Sequence, residues 1–208
     1  MTLTLFESIR RVVQHELGRV RSAELAVVQE QHPHASDSDT DNYACTVALR
    51  NSGLVLKQVP VATDRIGAVA IPAVGDLVLV QFIGGDVNAP VIVARLYNDE
   101  DRPPVSEDGQ AILHLPLGAE DADAFHAEIR SGDARELVLR LGTGLVVSLR
   151  DDDPAIEVDV AEGKAKLSIG QDGAITLESS GNVSFKGTEI AIEASGQLTL
   201  KGATVNIN

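Results

Sequence analysis

The chain has 208 residues and a net charge of −14, with hydrophobic residues at 44% but aromatics at only 3% and no tryptophan. A core built without aromatics must use Val, Ile, Leu and Ala, which favours β structure. The acidic balance disfavours phosphate backbones and the anionic cytoplasmic leaflet, and one cysteine, Cys45, excludes an intrachain disulfide.

Residues 3–17 predict a short helix, because Leu5, Phe6, Ile9, Val12, Val13 and Leu17 recur at helical spacing and Gly18 supplies a stop. A lone helix of this length is marginal in water, so it is expected to pack on something. No basic start followed by an apolar run precedes it, and no segment reaches the length that spans a bilayer. Synthesis in a bacterial cytoplasm without a leader is the expectation.

Residues 19–98 read as a small β-barrel. Strands are predicted at Leu25–Val28, Cys45–Leu49, Leu54–Val61 (with Pro60 at an edge), Ile66–Ile71, Leu77–Phe82 and Val91–Leu96. His32–Asn42 is a polar loop, and Gly75-Asp76 and Gly84-Gly85-Asp86 are turns. Five or six short strands in about eighty residues fit a closed barrel of OB type. Cys45, among apolar and β-branched neighbours, is expected as a small buried thiol.

Residues 99–136 are acidic and broken by Pro103, Pro104 and Pro116, and read as a linker or neck whose only expected strand is Ala111–Leu115. From Glu136 onward, leucine, valine and isoleucine alternate with polar residues, and the last proline is Pro154.

The final stretch repeats. Ile175/Leu177, Val183/Phe185, Ile190/Ile192, Leu198/Leu200 and Val205/Ile207 are apolar pairs separated by steps of 8, 7, 8 and 7 residues, with Gly173, Gly181, Gly187, Gly196 and Gly202 between them. A fixed period of this kind marks stacked structural units. Residues i and i+2 of a strand share a face, so each unit sends two aliphatic side chains to one side. A single chain would bury them poorly and leave strand edges open. Three identical chains wound about one axis would enclose Ile175, Leu177, Val183, Phe185, Ile190, Ile192, Leu198 and Leu200 and pair every edge. A plain antiparallel meander fits the alternation as well, so the pattern alone leaves both open.

No motif for catalysis, cofactor or metal emerges. His32-Pro33-His34 sits in a polar loop without a further soft ligand. Asp37-Ser38-Asp39-Thr40-Asp41 opens like a calcium loop, but Asn42 and Ala48 stand where the loop needs glycine and glutamate. Gly142-Thr143-Gly144 is too short for a nucleotide fingerprint. The histidines His15, His32, His34, His114 and His126 have no motif around them. The expectation is a protein that is not an enzyme, with no cofactor and no metal.

Val74-Gly75-Asp76-Leu77-Val78-Leu79-Val80-Gln81-Phe82, Gly84-Gly85-Asp86 and Ala89-Pro90-Val91-Ile92-Val93-Ala94-Arg95-Leu96-Tyr97-Asn98 carry a family signature. This stretch resembles the OB domain of the baseplate-assembly-V and VgrG spike family, with Ala94 where glycine is common. The match covers about residues 55–104, and the repeat lies where that family carries a triple-stranded β-helix.

The resemblance implies a mainly β protein: a helix at 1–18, an OB barrel at 19–98, a neck at 99–136 and an intertwined β-helical needle at 137–208. It implies a homotrimeric central spike of a contractile phage-tail-like particle, docked on a baseplate hub protein and contacting a target envelope only mechanically. A PAAR-type tip protein would dock at Val205, Asn206, Ile207 and Asn208, since no histidine there offers the iron site of some short phage spikes. The competing reading is an OB-fold module for oligosaccharide or oligonucleotide on a trimeric β stalk. The acidic charge and scarce aromatics weigh against nucleic acid.

Overall fold

The computed structural model describes residues 5–17, 21–142 and 144–206. They fall into two compact units, one up to Pro103 and one from Pro104.

The first unit opens with helix α1 (Leu5–Leu17), one residue run with an acid, Glu7, in its first turn and His15 in its last, matching the macrodipole. Its stripe of Leu5, Phe6, Ile9, Val12 and Val13 is exposed in the single chain. Gly18, expected to end the helix, lies outside the described residues.

Five strands follow: β1 (Glu24–His32), β2 (Ala44–Leu49), β3 (Val55–Pro60), β4 (Leu77–Phe82) and β5 (Pro90–Leu96). Their antiparallel order is β3-β2-β1-β4-β5. A parallel bridge from Val61 to Ile92 joins the two ends, and the Ala62 N–H donates to the Ile92 carbonyl at 2.8 Å. Strand order around the ring is therefore 1-2-3-5-4-1, the OB arrangement, with no long open edge. Register shifts in the β1–β2, β2–β3 and β4–β5 pairs supply the extra bend that closure of so few strands needs. The core is aliphatic, as the composition required: Ala26, Val28, Val47, Leu49, Val59, Val78, Val80 and Ile92 are buried, with Phe82 and Cys45 among them.

The strand expected at Ile66–Ile71 does not form. Ala68 N–H donates back to the Arg65 carbonyl at 3.0 Å, Gly67 takes φ +95°, and the Thr63 hydroxyl ties the same turn. The Ala70 N–H donates to the Tyr43 hydroxyl at 2.7 Å. These bonds hold the segment as a loop, with Ile66 and Val69 projecting into solvent.

The second unit is one seven-stranded antiparallel meander: β6 (Gln110–Leu115), β7 (Phe125–Arg130), β8 (Glu136–Leu141), β9 (Leu145–Arg150), β10 (Ile156–Val160), β11 (Ala165–Ile169) and β12 (Ile175–Ser179). The segment expected to contain one strand, Ala111–Leu115, thus contains two. Strand β7 was hidden because His126, Glu128 and Arg130 break its apolar run; in place, they share one face and Phe125, Ala127 and Ile129 the other. Only the first pair of the repeat, Ile175/Leu177, lies in a strand, paired in register with Ile169 and Leu167 of β11. The remainder of the repeat up to Asn206 carries no strand in the single chain and is exposed. A single-chain meander therefore accounts for residues 110–179 but not for the repeat beyond it.

Candidate functional site

Two faces of the meander divide the chemistry cleanly. Cross-strand partners share a face, as do alternate residues of each strand. On one face the register brings together Leu113 and Leu115 of β6, Phe125, Ala127 and Ile129 of β7, and Leu137, Leu139 and Leu141 of β8. The same face continues through Leu145, Val147 and Leu149 of β9, Ile156, Val158 and Val160 of β10, Ala165, Leu167 and Ile169 of β11, and Ile175 and Leu177 of β12. Ser179, opposite Ala165, is the one polar member.

This face has no second layer among the described residues of the unit. Leu113 is 50% exposed, Ile129 53%, Leu141 43% and Leu177 53%. At one end Ile129, Leu137, Leu149 and Ile156 floor a shallow depression of ≈570 Å³. A sheet is normally stabilised by packing one apolar face on another layer, and an apolar surface of this extent on a soluble protein marks an interaction site.

The opposite face is polar yet better covered. Glu128 and Ser148 are buried there beside Val138. Glu128 Oε1 accepts from Arg130 Nε at 2.7 Å and Gln110 Nε2 at 3.1 Å. Arg130 also bonds Glu136 at 3.0 Å, Arg150 stands 3.7 Å from Glu136, and Lys166 lies 3.3 Å from Glu157. Burial pushes the Glu128 carboxyl upward, but the hydrogen bond and charge of Arg130, with His126 and Arg140 adding less, outweigh it and hold its pKa below the ordinary value. This face pairs most of its charges within one chain, whereas the apolar face has no cover among the described residues.

The trimer-core residues expected from the repeat divide accordingly. Ile175 and Leu177 extend the apolar face. Val183, Phe185, Ile190, Ile192, Leu198 and Leu200 are all exposed, between 51% and 71%. Of the expected tip, Val205 and Asn206 are exposed, while Ile207 and Asn208 lie outside the described residues. The strand at β6 was expected, but β7 was missed from sequence; the alternation Phe125/Ala127/Ile129 was its only signal.

The motifs considered for chemistry stay apart. His32 Nε2 contacts the Thr46 hydroxyl at 2.8 Å, and His34 Nδ1 contacts Asp39 at 2.9 Å. The Asp39 carboxyl also accepts the Ala35 and Ser36 N–H groups at 2.6 and 2.8 Å. The Ser36 N–H is the main reason that its pKa lies below the ordinary value. The carboxylate thereby serves the loop's own backbone. Among the described residues no group of three or more His, Cys, Asp or Glu is placed to hold a metal ion. None of the described helices is long and apolar enough to cross a membrane. The barrel carries a cleft of ≈280 Å³ between the 61–72 loop and β5, lined by Tyr43, Val61, Asp64, Ile92 and Arg95 among others. One aromatic and one cation are too few for a stacking platform with a positive groove.

Fold and surface together define a mainly β protein in which a closed OB barrel precedes a sheet with an uncovered apolar face. The barrel's family is specific: residues 19–97 match the Type VI secretion system/phage-baseplate injector OB domain, and the domain belongs to that family. The match covers the barrel alone and supports a role in a phage-baseplate or type VI injector. Among curated proteins none matches the chain.

Proposed function

We propose that the chain is the central spike of a contractile phage-tail-like injection system, built from three copies. The OB barrel docks on the baseplate hub, the second unit and the repeat form the needle, and a separate PAAR-type protein caps its end. The role is mechanical and asks no chemical step of the chain.

The observation that carries this reading is the uncovered apolar face of β6–β12, continued by the exposed aliphatic pairs of the repeat. Threefold closure turns these faces inward, leaves the ion-paired face outside and gives the strandless repeat partners for its backbone groups. The free edges at β6 and β12 are removed in the same step. The family of the barrel supports the same assignment.

Light scattering on purified protein tests it: the expected mass is three chains, stable to dilution. A monomer at micromolar concentration removes the proposal. The binding-module reading rests on the cleft beside Tyr43. It would gain if single-stranded nucleic acid or an oligosaccharide bound at physiological salt and Tyr43→Ala abolished that binding.

A further inference from the structure

His114 of β6 and His126 of β7 are register partners, so both side chains leave the polar face of the sheet. Their Nδ1 atoms stand 3.3 Å apart, while the ring centroids are 5.5 Å apart. The centroid separation exceeds the nitrogen separation by nearly two ring radii, so the two nitrogens are aimed at each other and one hydrogen lies between them.

The outer nitrogens decide which ring donates that hydrogen. His114 Nε2 lies 2.9 Å from the Ala119 carbonyl oxygen, which only accepts, so this nitrogen carries a hydrogen. In the neutral pair His114 Nδ1 is then the acceptor and His126 Nδ1–H the donor. That leaves a lone pair on His126 Nε2, a buried atom without a hydrogen-bond partner that stands 3.6 Å from Glu128 Oε2. Burial works against the charge of Glu128, but the hydrogen bond and charge of Arg130 hold its carboxyl below the ordinary range, so an acceptor meets an anion. One added proton on His126 Nε2 removes the conflict and keeps the ring-to-ring bond. A second proton has only His114 Nδ1 to occupy, where it sets N–H against N–H and breaks that bond. Of the three proton counts, one alone satisfies every ring nitrogen.

We propose that His114 and His126 are a one-proton latch that holds the 116–124 loop to the sheet. The Ala119 carbonyl, the two rings and the Glu128 carboxylate form one hydrogen-bonded line from loop to sheet, completed by the first proton and opened by the second. The loop keeps its own shape through Ala119 N–H to the Pro116 carbonyl at 3.2 Å and Asp123 N–H to the Glu120 carbonyl at 2.9 Å. The other charged groups around the pair are Arg130 on β7, Glu136 and Arg140 on β8, Arg150 on β9, and Glu120, Asp121 and Asp123 in the loop itself. Arg140, the register partner of His126, lies 3.9 Å from Glu128 Oε2 and disfavours a second positive charge beside it. Arg130 and Arg150 are drawn to Glu136, and the three loop acids are exposed, where water screens them. The latch lies within one chain and does not depend on how many copies assemble.

Nitrogen-15 NMR of histidine-labelled, untagged full-length protein, titrated from about pH 8 to about pH 5, is the test and needs no variant to fold. A scalar coupling between the two Nδ1 nuclei is expected. It should survive the first proton, which appears on His126 Nε2, and vanish with the second. Hydrogen exchange at the Ala119 and Asp123 amides, corrected for the intrinsic effect of pH, should quicken about 2–10-fold at that second step, as the loss of one hydrogen bond implies. His126→Asn should show the faster exchange at every pH. Glu128→Gln, whose amide can donate to His126 Nε2, should keep the coupling and take up its first proton at lower pH than the wild type. Absence of the coupling at every pH, a coupling that persists with both protons bound, or loop exchange that ignores the second step overturns the proposal.

Discussion

Leu139→Asp puts the apolar face to the sharpest test. Leu139 sits on β8 between Ala127 of β7 and Val147 of β9, well inside the sheet, and is part-exposed in the single chain. In the lone chain water still reaches a carboxylate at this position, so its direct penalty is small. Between copies that access is lost. Full burial raises a carboxyl pKa by up to 3–5 units, so the group is neutralised, which at pH 7, about 3 units above the ordinary Asp value and at about 1.36 kcal/mol per unit, costs about 4 kcal/mol per chain. Lost leucine burial adds about 1.5–3 kcal/mol. Three copies each carry the defect, so association should fail at any practical concentration. The assay is light scattering over a dilution series, with far-ultraviolet circular dichroism to follow the barrel. Thr176→Asp, on the polar face of β12 and exposed, is the matched control and should leave the mass unchanged. If Leu139→Asp assembles like the wild type, the face is not an interface and the reasoning fails.

Three further outcomes are expected. Glu128→Gln removes the carboxylate from Arg130 and should cost about 1.5–3 kcal/mol in denaturant unfolding of the second unit. Because the folded-state pKa of Glu128 lies below its unfolded value, its contribution is complete above the ordinary carboxylate range and is lost as pH falls through the folded value, which acid titration of the wild type and variant would show as converging stabilities. Gly142→Ala places a Cβ against the Ala122 carbonyl and should destabilise the second unit by about 1–3 kcal/mol, read from its melting temperature. Cys45 is fully buried and its thiol pKa is raised, chiefly by burial; a thiol reagent should therefore react only at the rate of barrel opening.

The barrel was legible where apolar runs meet turn residues that leave no choice. Leu77–Phe82 lies between Gly75 (φ +98°) and Gly84 (φ +62°), and both of its ends fall where expected. Ile66–Ile71 has the same apolar texture, but Gly67 and the hydroxyls of Thr63 and Tyr43 bind its backbone locally, and side-chain capture of that kind depends on residues far along the chain. Strand β7 shows the opposite failure: its charges looked like linker and are in fact satisfied across strands, by Gln110, Arg140 and Glu136. The pairing of His114 with His126 was illegible for a simpler reason. Twelve residues separate them, and only the register of a hairpin not expected from sequence brings them together.

The two units solve the same problem differently, and the difference bears on how such a protein works. The barrel closes its sheet on itself and buries its aliphatic residues without help. The meander pairs charges across its polar face and leaves its apolar face uncovered among the described residues. A cover of unrelated sequence would need to match a surface that grows strand by strand from Leu113 to Leu177, whereas a copy of the same chain presents an equally apolar surface of the same length by construction. Rotational symmetry then requires no further specificity. The exposed pairs from Val183 to Val205 strengthen this argument, because they keep the same polar-to-apolar alternation after the single chain has run out of strands to pair with. A sheet finished by its own copies would have no free edge at which local opening could begin, the property that a component loaded along its length would need.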